Sequence, residues 1–381
     1  MSDTHARFMR SAVQLAERGW GRVQPNPMVG AVVVRDGTVI AEGWHHEYGG
    51  AHAEVDALAD AGAQARGATL YVSLEPCSHH GKTPPCTDAI IRAGVATVVF
   101  GAHDPNPEAR GGADVLRRAG INVVGGVEAD AVRQQNAIFF HAIHHHAPYV
   151  ALKLAMSLDA RIARGPGERT RITSDDADAE VHRLRSGYDA VLIGSNTARI
   201  DDPLLTVRKA PAPIRPPVRV VLDSEAALSP TSALVTSVNQ APVWVFTGPT
   251  ADAARIQALE AAGARVFAAR RQRAPLKQVL DTLWQEGVQS VFCEGGSRVA
   301  TALLARDLVQ RVYLFIAPIL LGGQAVPAFA FEQAPDTSRW RPARIAQIGD
   351  DALLMLDREP DRDGPAEAAG EARRQRGRGA S

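Results

Sequence analysis

Short apolar runs alternate with amphipathic helical stretches along this chain, and the alternation starts twice. That pattern constrains the fold more than any other feature. A helical pattern (Phe8, Met9, Ala12, Val13, Leu15, Ala16) leads to Gly19. The apolar run Val29–Val34 follows, then the hairpin signal Asp36-Gly37 and a second strand through Val39-Ile40. Residues 52–61 read as a helix, 69–74 as a strand and 86–93 as a helix closed by Gly94. After these come a strand at 95–100, a helix at 113–119 and a strand at 121–124. Buried-type strands between helices predict an α/β sheet covered on both faces. Residues 128–146 read as one helix ending in His141, His144, His145 and His146, and Ala147-Pro148 follows. A domain boundary is expected there, giving domains at 1–147 and 148–358.

The alternation then begins again. Strands are expected at 149–155, 190–194, 218–222, 243–247, 290–293 and 311–316, and helices at 174–186, 251–261, 275–286 and 297–305. Residues 209–217 form a Pro-rich surface loop. The tail 359–381 has no large apolar residue and mixes five acids with five arginines, the composition of a disordered segment. A length of 381 residues fits two domains at roughly 100–200 residues each.

Charge and cysteine content narrow the function. Lys+Arg and Asp+Glu are both 42, so the chain lacks the basic excess of a nucleic-acid or anionic-membrane binder. No run approaches the ~18–20 apolar residues of a membrane span. The N-terminus reads as an amphipathic helix without an apolar signal core. Three cysteines cannot staple a chain this long. The expectation is a cytoplasmic enzyme acting on small molecules, with cysteines available for metal or chemistry.

The strongest local signal is His52-Ala53-Glu54, followed by Glu75-Pro76-Cys77 and, nine positions later, Cys86. One imidazole and two thiolates leave the fourth position of a tetrahedral Zn²⁺ open, as a catalytic zinc needs. Glu54 can reach that position without being a ligand and move a proton there. The order resembles the H-x-E…P-C-x-x-C signature of nucleobase deaminases, with a longer loop between the two cysteines. Taken singly, each of these residues could equally be a core cysteine, a helix cap or a solvated acid. Asn26 offers a two-sided amide for a pyrimidine edge or merely a turn before Pro27, and Lys82 offers a cation or a solvated loop charge. Glu294-Gly295-Gly296-Ser297 is a Gly-rich turn opening a helix, suited to a pyrophosphate or simply to turn geometry.

Three segments carry a specific resemblance: Pro25–Gly30, Gly43-Trp44-His45, and the run Glu75–Cys86 with Ser78-His79-His80-Gly81-Lys82-Thr83-Pro84-Pro85 inside it. They resemble the deaminase half of the bifunctional riboflavin-biosynthesis deaminase/reductase family. In the second half, Lys153–Ala160, Gly194-Ser195-Asn196-Thr197, Asp201–Arg208 and Glu294-Gly295-Gly296 resemble the reductase half. The likeness covers residues 5–357. It implies a cytidine-deaminase-like three-layer α/β domain followed by a dihydrofolate-reductase-like α/β domain, with Zn²⁺ and NADPH as cofactors; separately, a homo-oligomer is expected.

Residue by residue, the resemblance implies zinc ligands His52, Cys77 and Cys86 and the proton carrier Glu54. It implies deaminase substrate contacts at Asn26, His45, His79 and Lys82. Reductase substrate contacts fall at Arg185, Leu205, Arg208 and Glu294, with Lys153 as proton donor or orienter near the sugar. NADPH contacts fall at Ala155, Thr197, Asp201, Ser224 and the turn Gly296, Ser297, Arg298, Val299, Ala300, Thr301 and Ala302. The sequence departs from the family pattern at Ala51, Thr87 and Ala160. Arg169 stands where a small polar residue meets the substrate, and Arg171 where an aromatic residue lies on the cofactor. The activity implied is hydrolytic deamination of a diaminopyrimidinone ribosylamine 5′-phosphate, then NADPH-dependent reduction of its ribosyl group to ribityl. Two other readings remain: a nucleic-acid or nucleoside deaminase with a non-catalytic C-terminal domain, and a zinc-stabilised binding protein.

Overall fold

A computed structural model of the chain describes residues 2–269, 276–332 and 340–359. The expected disordered tail lies outside the described residues except for Glu359.

The first unit runs α1 (Ser2–Ala16), β1 (Gly30–Arg35), β2 (Thr38–Trp44), α2 (Ala53–Ala61), β3 (Thr69–Leu74), α3 (Cys86–Ala93), β4 (Thr97–Ala102), α4 (Gly112–Arg118), β5 (Asn122–Val124), α5 (Ala129–Gln135) and α6 (Ala137–His145). Its sheet has the order β2-β1-β3-β4-β5. The β1–β2 hairpin and the β1–β3 pair are antiparallel, and the remaining pairs are parallel. Two-residue alternation sorts the side chains into two faces. Ala31 and Val33 of β1 pack with Ala57 and Leu58 of α2 and Ile90 of α3, while Val32 and Val34 pack with Phe8, Met9 and Ala12 of α1. This is the three-layer arrangement the alternation predicts.

The helix expected over 128–146 is two helices. Asn136 breaks it with non-helical backbone, φ −99° and ψ 26°. Its side chain accepts from the Met28 N–H at 2.7 Å and donates to the Met28 carbonyl at 3.0 Å. A side-chain amide recruited to bridge a distant loop overrides the helical pattern.

The second unit runs β6 (Tyr149–Ser157), β7 (Arg161–Ala163), α7 (Asp175–Ser186), β8 (Ala190–Gly194), α8 (Ser195–Asp201), β9 (Val218–Leu222), α9 (Ala233–Thr236), β10 (Val243–Thr247), α10 (Ala253–Ala261), β11 (Arg265–Ala268), α11 (Leu276–Gln285), β12 (Ser290–Gly295), α12 (Ser297–Leu304), β13 (Arg311–Ala317), β14 (Val326–Pro327), β15 (Trp340–Ile348) and β16 (Asp351–Arg358). Nine strands form one sheet in the order β11-β10-β9-β8-β12-β6-β13-β16-β15. The first seven are parallel, and the β16–β15 hairpin closes the far side antiparallel. Val150, Leu152 and Leu154 of β6 face the core under α11 and α12; Tyr149 and Ala151 face the core under α7. In an open parallel sheet the crevice beyond the carboxyl ends of the strands is where ligands bind.

Ala160, one of the departures from the family pattern, sits at φ +56°. That is left-handed backbone, where glycine fits without a Cβ penalty.

Candidate active sites

The first site is assembled where α2 and α3 begin. His52 caps α2 with extended backbone, and Cys86 is the first residue of α3. Cys77 comes from the loop after β3, and the Cys86 N–H donates to its sulfur at 3.4 Å. His52 Nδ1 lies 3.2 Å from Cys86 Sγ and 3.7 Å from Cys77 Sγ. The three donor atoms lie within 4.8 Å of one another. Thr83 Oγ1 stands 3.3 Å from the other ring nitrogen, Nε2, and so orients the imidazole. One nitrogen and two soft sulfurs on buried, pre-positioned elements fit a zinc ion.

Glu54 sits in the first turn of α2, only 4% exposed. Burial pushes its carboxyl up to about 7, against the pull of His52. Hydrogen bonding from the Cys86 thiol holds the Cys77 thiol well below its usual range, with His52 adding to it.

A cavity of about 230 Å³ opens onto this cluster. Asn26, His45, His79, Lys82, His52, Glu54 and Cys77 all line it. The Asn26 amide donates to His45 Nε2 at 3.2 Å, and His45 Nδ1–H donates to the Ala51 carbonyl at 2.9 Å. Burial lowers the His45 pKa, so its ring is a neutral relay that sets the Asn26 amide. Asn136, gripping Met28, fixes the loop that carries Asn26. His79 Nδ1 is buried with no hydrogen-bond partner among the described residues, a polar atom available to a ligand.

The second site lies at the carboxyl ends of β6, β8, β9 and β12. Glu294 near the end of β12 receives a two-pronged ion pair from Arg185 of α7, Nε to Oε1 at 2.6 Å and Nη2 to Oε2 at 3.1 Å. Arg185 also donates to the Thr206 carbonyl at 2.6 Å. Burial works to raise the Glu294 pKa, but Arg185 and Lys153 outweigh it and hold the carboxylate low. Burial lowers Lys153 in turn, with Glu294 resisting. Leu205 is buried at φ +53°, a strained conformation for a branched side chain. Buried guanidiniums grip the carbonyls on either side of it: Arg219 holds Leu204 at 3.1 Å and Arg185 holds Thr206.

Gly295 and Gly296 are both left-handed, at φ +75° and +79°, and turn the chain from β12 into α12. A Cβ on Gly296 would stand 2.9 Å from Thr197 Oγ1. Ser297 Oγ, at the start of α12, is buried with no hydrogen-bond partner among the described residues. A tight Gly turn, free helix N–H groups and an unsatisfied hydroxyl fit the pyrophosphate of a dinucleotide.

Thr197 and Asp201 lie on α8 and Ser224 follows β9, all on this edge, and Ala155 lies on β6 beside Lys153. Arg208 is exposed, with its Nη1 on Thr206 Oγ1 at 2.8 Å. Arg169 is exposed and counters the upward shift that burial imposes on Asp201. Arg171 is exposed and ion-paired to Asp175 at 2.7 Å, at the start of α7.

The sequence reading missed several residues that build these sites. His182 Nδ1 accepts the Arg208 N–H at 3.0 Å, and burial together with Arg185 lowers its pKa to about 4, so a neutral ring sits among cations. Its signal was a lone histidine inside a helix otherwise rich in charges. Asp104 lines the first cavity and is raised to about 6 by burial. Glu75, part of the Glu-Pro-Cys motif but given no role there, anchors the cysteine loop by accepting from His103 at 2.8 Å and from the Gly111 and Ala113 N–H groups. The Asp104-Pro105-Asn106 turn after β4 was a visible marker.

A metal-fit hydrolytic cavity and a dinucleotide-fit crevice on one chain define a zinc-dependent deaminase fused to an NADPH-dependent reductase. Residues 2–102 match the cytidine and deoxycytidylate deaminase zinc-binding region, and residues 148–354 match the RibD C-terminal domain. The riboflavin biosynthesis protein RibD of Bacillus amyloliquefaciens is 38% identical over 94% of this chain and 97% of its own. That of Escherichia coli is 38% identical over 92% of this chain and 98% of its own. The solved structure of Acinetobacter baumannii RibD, form 1, superposes with a TM-score of 0.81 at 36% identity, covering 94% of this chain and all of that one. A Thermotoga maritima diaminohydroxyphosphoribosylaminopyrimidine deaminase/5-amino-6-(5-phosphoribosylamino)uracil reductase gives 0.80 at 36% identity, covering 94% and 99%. The chain belongs to the RibD family, the bifunctional deaminase/reductases of riboflavin biosynthesis.

Proposed function

We propose that the two sites act in turn on one phosphorylated pyrimidine, with the substrates named for the Thermotoga maritima relative. The first cavity removes the exocyclic amine of a diaminopyrimidinone ribosylamine 5′-phosphate. The second crevice then reduces the ribosyl group to ribityl. The observation that carries this reading is the buried Glu54 carboxyl beside a three-ligand donor set. A structural zinc site needs no such acid and is usually closed by four protein ligands.

His52, Cys77 and Cys86 would hold the zinc, which when bound would lower the pKa of the water that attacks the amine-bearing carbon. Glu54 takes a proton from the water that adds to that carbon and delivers it to the exocyclic nitrogen; the carbon–nitrogen bond breaks, ammonia departs and the water oxygen stays as the ring carbonyl. Asn26, set by His45, reads the pyrimidine edge, and His79 and Lys82 hold the rest of the substrate.

Ala155, Thr197, Asp201, Ser224 and residues 296–302 would hold NADPH, which when bound would supply the hydride to the sugar carbon that bears the amine. Arg185 fixes the Glu294 carboxylate toward a ribose hydroxyl. Lys153, with its ammonium destabilised by burial, gives up a proton to the sugar oxygen. Arg208 pairs the phosphate. The balanced charge favours small-molecule substrates over nucleic acid, three free thiols suit the cytoplasm, and Ile345, 73% exposed on the edge strand β15, favours a homo-oligomer. No helix among the described residues is long and apolar enough to cross a membrane.

Incubation of the purified chain with this substrate and NADPH tests the reading. Ammonia release should precede a matching loss of NADPH absorbance. Loss of NADPH without ammonia, or neither signal, would refute it.

A further inference from the structure

Tyr48 lines the first cavity beside Gly49, Gly50 and Lys82. Two cations gather on its ring. Lys82 Nζ lies 4.0 Å from the ring centroid, and Arg215 Cζ lies 5.4 Å from it. Arg215 belongs to the other half of the chain. It sits in the Pro-rich loop between α8 and β9, and the adjacent Ile214 N–H donates to the Gly21 carbonyl of the first unit at 3.3 Å. Prolines 211, 213, 216 and 217 fix the backbone around it, so the arginine is carried on a stiff arm.

Neither cation is neutralised locally. Among the described residues, no carboxylate lies within ion-pair distance of Lys82 or Arg215. The nearby Glu47 is paired with Arg22 at 3.4 Å. Asp189 feels the charge of Arg215, but its carboxylate is already held by the Ser290 hydroxyl and the Gln289 N–H. An aromatic ring carrying two unpaired cations at a cavity is a seat for a dianion. A pyrimidine whose amine faces Glu54 has its ribose phosphate at the opposite end.

The geometry points to Arg215, donated by the reductase half, as part of the phosphate subsite of the deaminase. The inference rests on the reading of the first cavity as a deaminase of a phosphorylated pyrimidine. Arg215 and Lys82 grip the phosphoryl oxygens, and the reductase half thereby selects which pyrimidines the deaminase accepts. The deaminase pocket is then incomplete without the second unit.

The test uses the full chain with Arg215→Ala and Arg215→Lys. Ammonia release is followed with the ribosylamine 5′-phosphate and with its dephosphorylated nucleoside. Loss of a charge-assisted contact should raise KM for the phosphate about 10- to 100-fold. The turnover number should stay within about twofold, nucleoside turnover should not change, and Arg215→Lys should recover part of the loss. Equal effects on phosphate and nucleoside, or a fall confined to turnover, would make Arg215 a structural contact and overturn the subsite. Calorimetry in an Arg208→Ala background, which weakens the other phosphate site, separates the two readings. Wild-type Arg215 should bind pyrimidine ribonucleotide more tightly than nucleoside, and Arg215→Ala should bind them alike. A chain that shows this preference yet releases no ammonia would refute the deaminase activity and leave the subsite standing. A chain that binds both alike with Arg215 present would refute the subsite.

Discussion

The Trp20 indole N–H donates to the Arg183 carbonyl at 2.8 Å, tying the first unit to the last turn of α7. Gln24 adds a bond to the Gly187 carbonyl at 3.1 Å. Each of these segments leads to a site residue: Asn26 is two positions beyond Gln24, and Arg185 two before Gly187. The two pockets therefore share a mounting.

Gly187 makes that mounting possible by its lack of a side chain. A Cβ there would stand 2.0 Å from Trp20 Cε2. Gly187→Ala should destabilise the chain by about 1–3 kcal/mol, the usual range for overpacking. Both KM values should rise, since Asn26 and Arg185 move together. Thermal unfolding and paired kinetics check this, and Trp20→Ala should restore much of the midpoint lost in the Gly187→Ala chain.

Cys86→Ser replaces a soft donor with a hard one and, in the proposed ligand set, leaves one imidazole and one thiolate. Zinc content by atomic absorption should fall well below one per chain, and deamination should fall with it. Reduction of pre-deaminated substrate should persist, because the second site draws on other elements. Full zinc occupancy in this variant would count against Cys86 as a ligand.

The clustering of His52, Cys77 and Cys86 was legible because the three sit within 35 residues of one another on elements with strong punctuation: a helix cap, a Glu-Pro-Cys loop and a Pro-Cys helix start. The strand–helix alternation was legible for the same reason. What could not be read depended on partners far away in sequence. Asn136 splits its helix to serve Met28, 108 residues distant. Strand β15 alternates no apolar face, with Arg341, Pro342 and Arg344 exposed, because it lies at a sheet edge. Helix α8 follows β8 without an intervening break, so no stop signal marks it. His182 earns its place only through the fold, which brings the Arg208 backbone to its ring.

Arg208→Ala should separate the ligands of the reductase. Its guanidinium is exposed, with Nη1 on Thr206 Oγ1, while the proposed NADPH contacts sit on β6, on α8, after β9 and on the 296–302 turn. KM for the phosphorylated substrate should rise roughly 10- to 100-fold, as for a lost charge-assisted hydrogen bond, and KM for NADPH should not move. A rise in the NADPH value alone would reverse the assignment of the two ligands.

Glu54→Gln separates metal binding from proton transfer. Glutamine keeps the shape of the side chain in a pocket that is only 4% exposed and can still accept a hydrogen bond, but it cannot carry a proton at neutral pH. The proposed ligand atoms belong to His52, Cys77 and Cys86, so zinc content should stay at the wild-type level. General acid–base catalysis contributes about 10²–10⁴-fold, and ammonia release should fall by at least that factor. The proposed substrate contacts at Asn26 and Lys82 are untouched, so KM should change little. The fall should therefore appear in turnover. Reduction of pre-deaminated substrate should run at the wild-type rate, since Lys153, Arg185 and Glu294 lie on β6, α7 and β12. A variant that keeps more than about a tenth of its deamination rate would exclude Glu54 as the proton carrier. One that loses reduction as well would mean that the shared mounting through Trp20 and Gln24 couples the two chemistries, not merely the two positions.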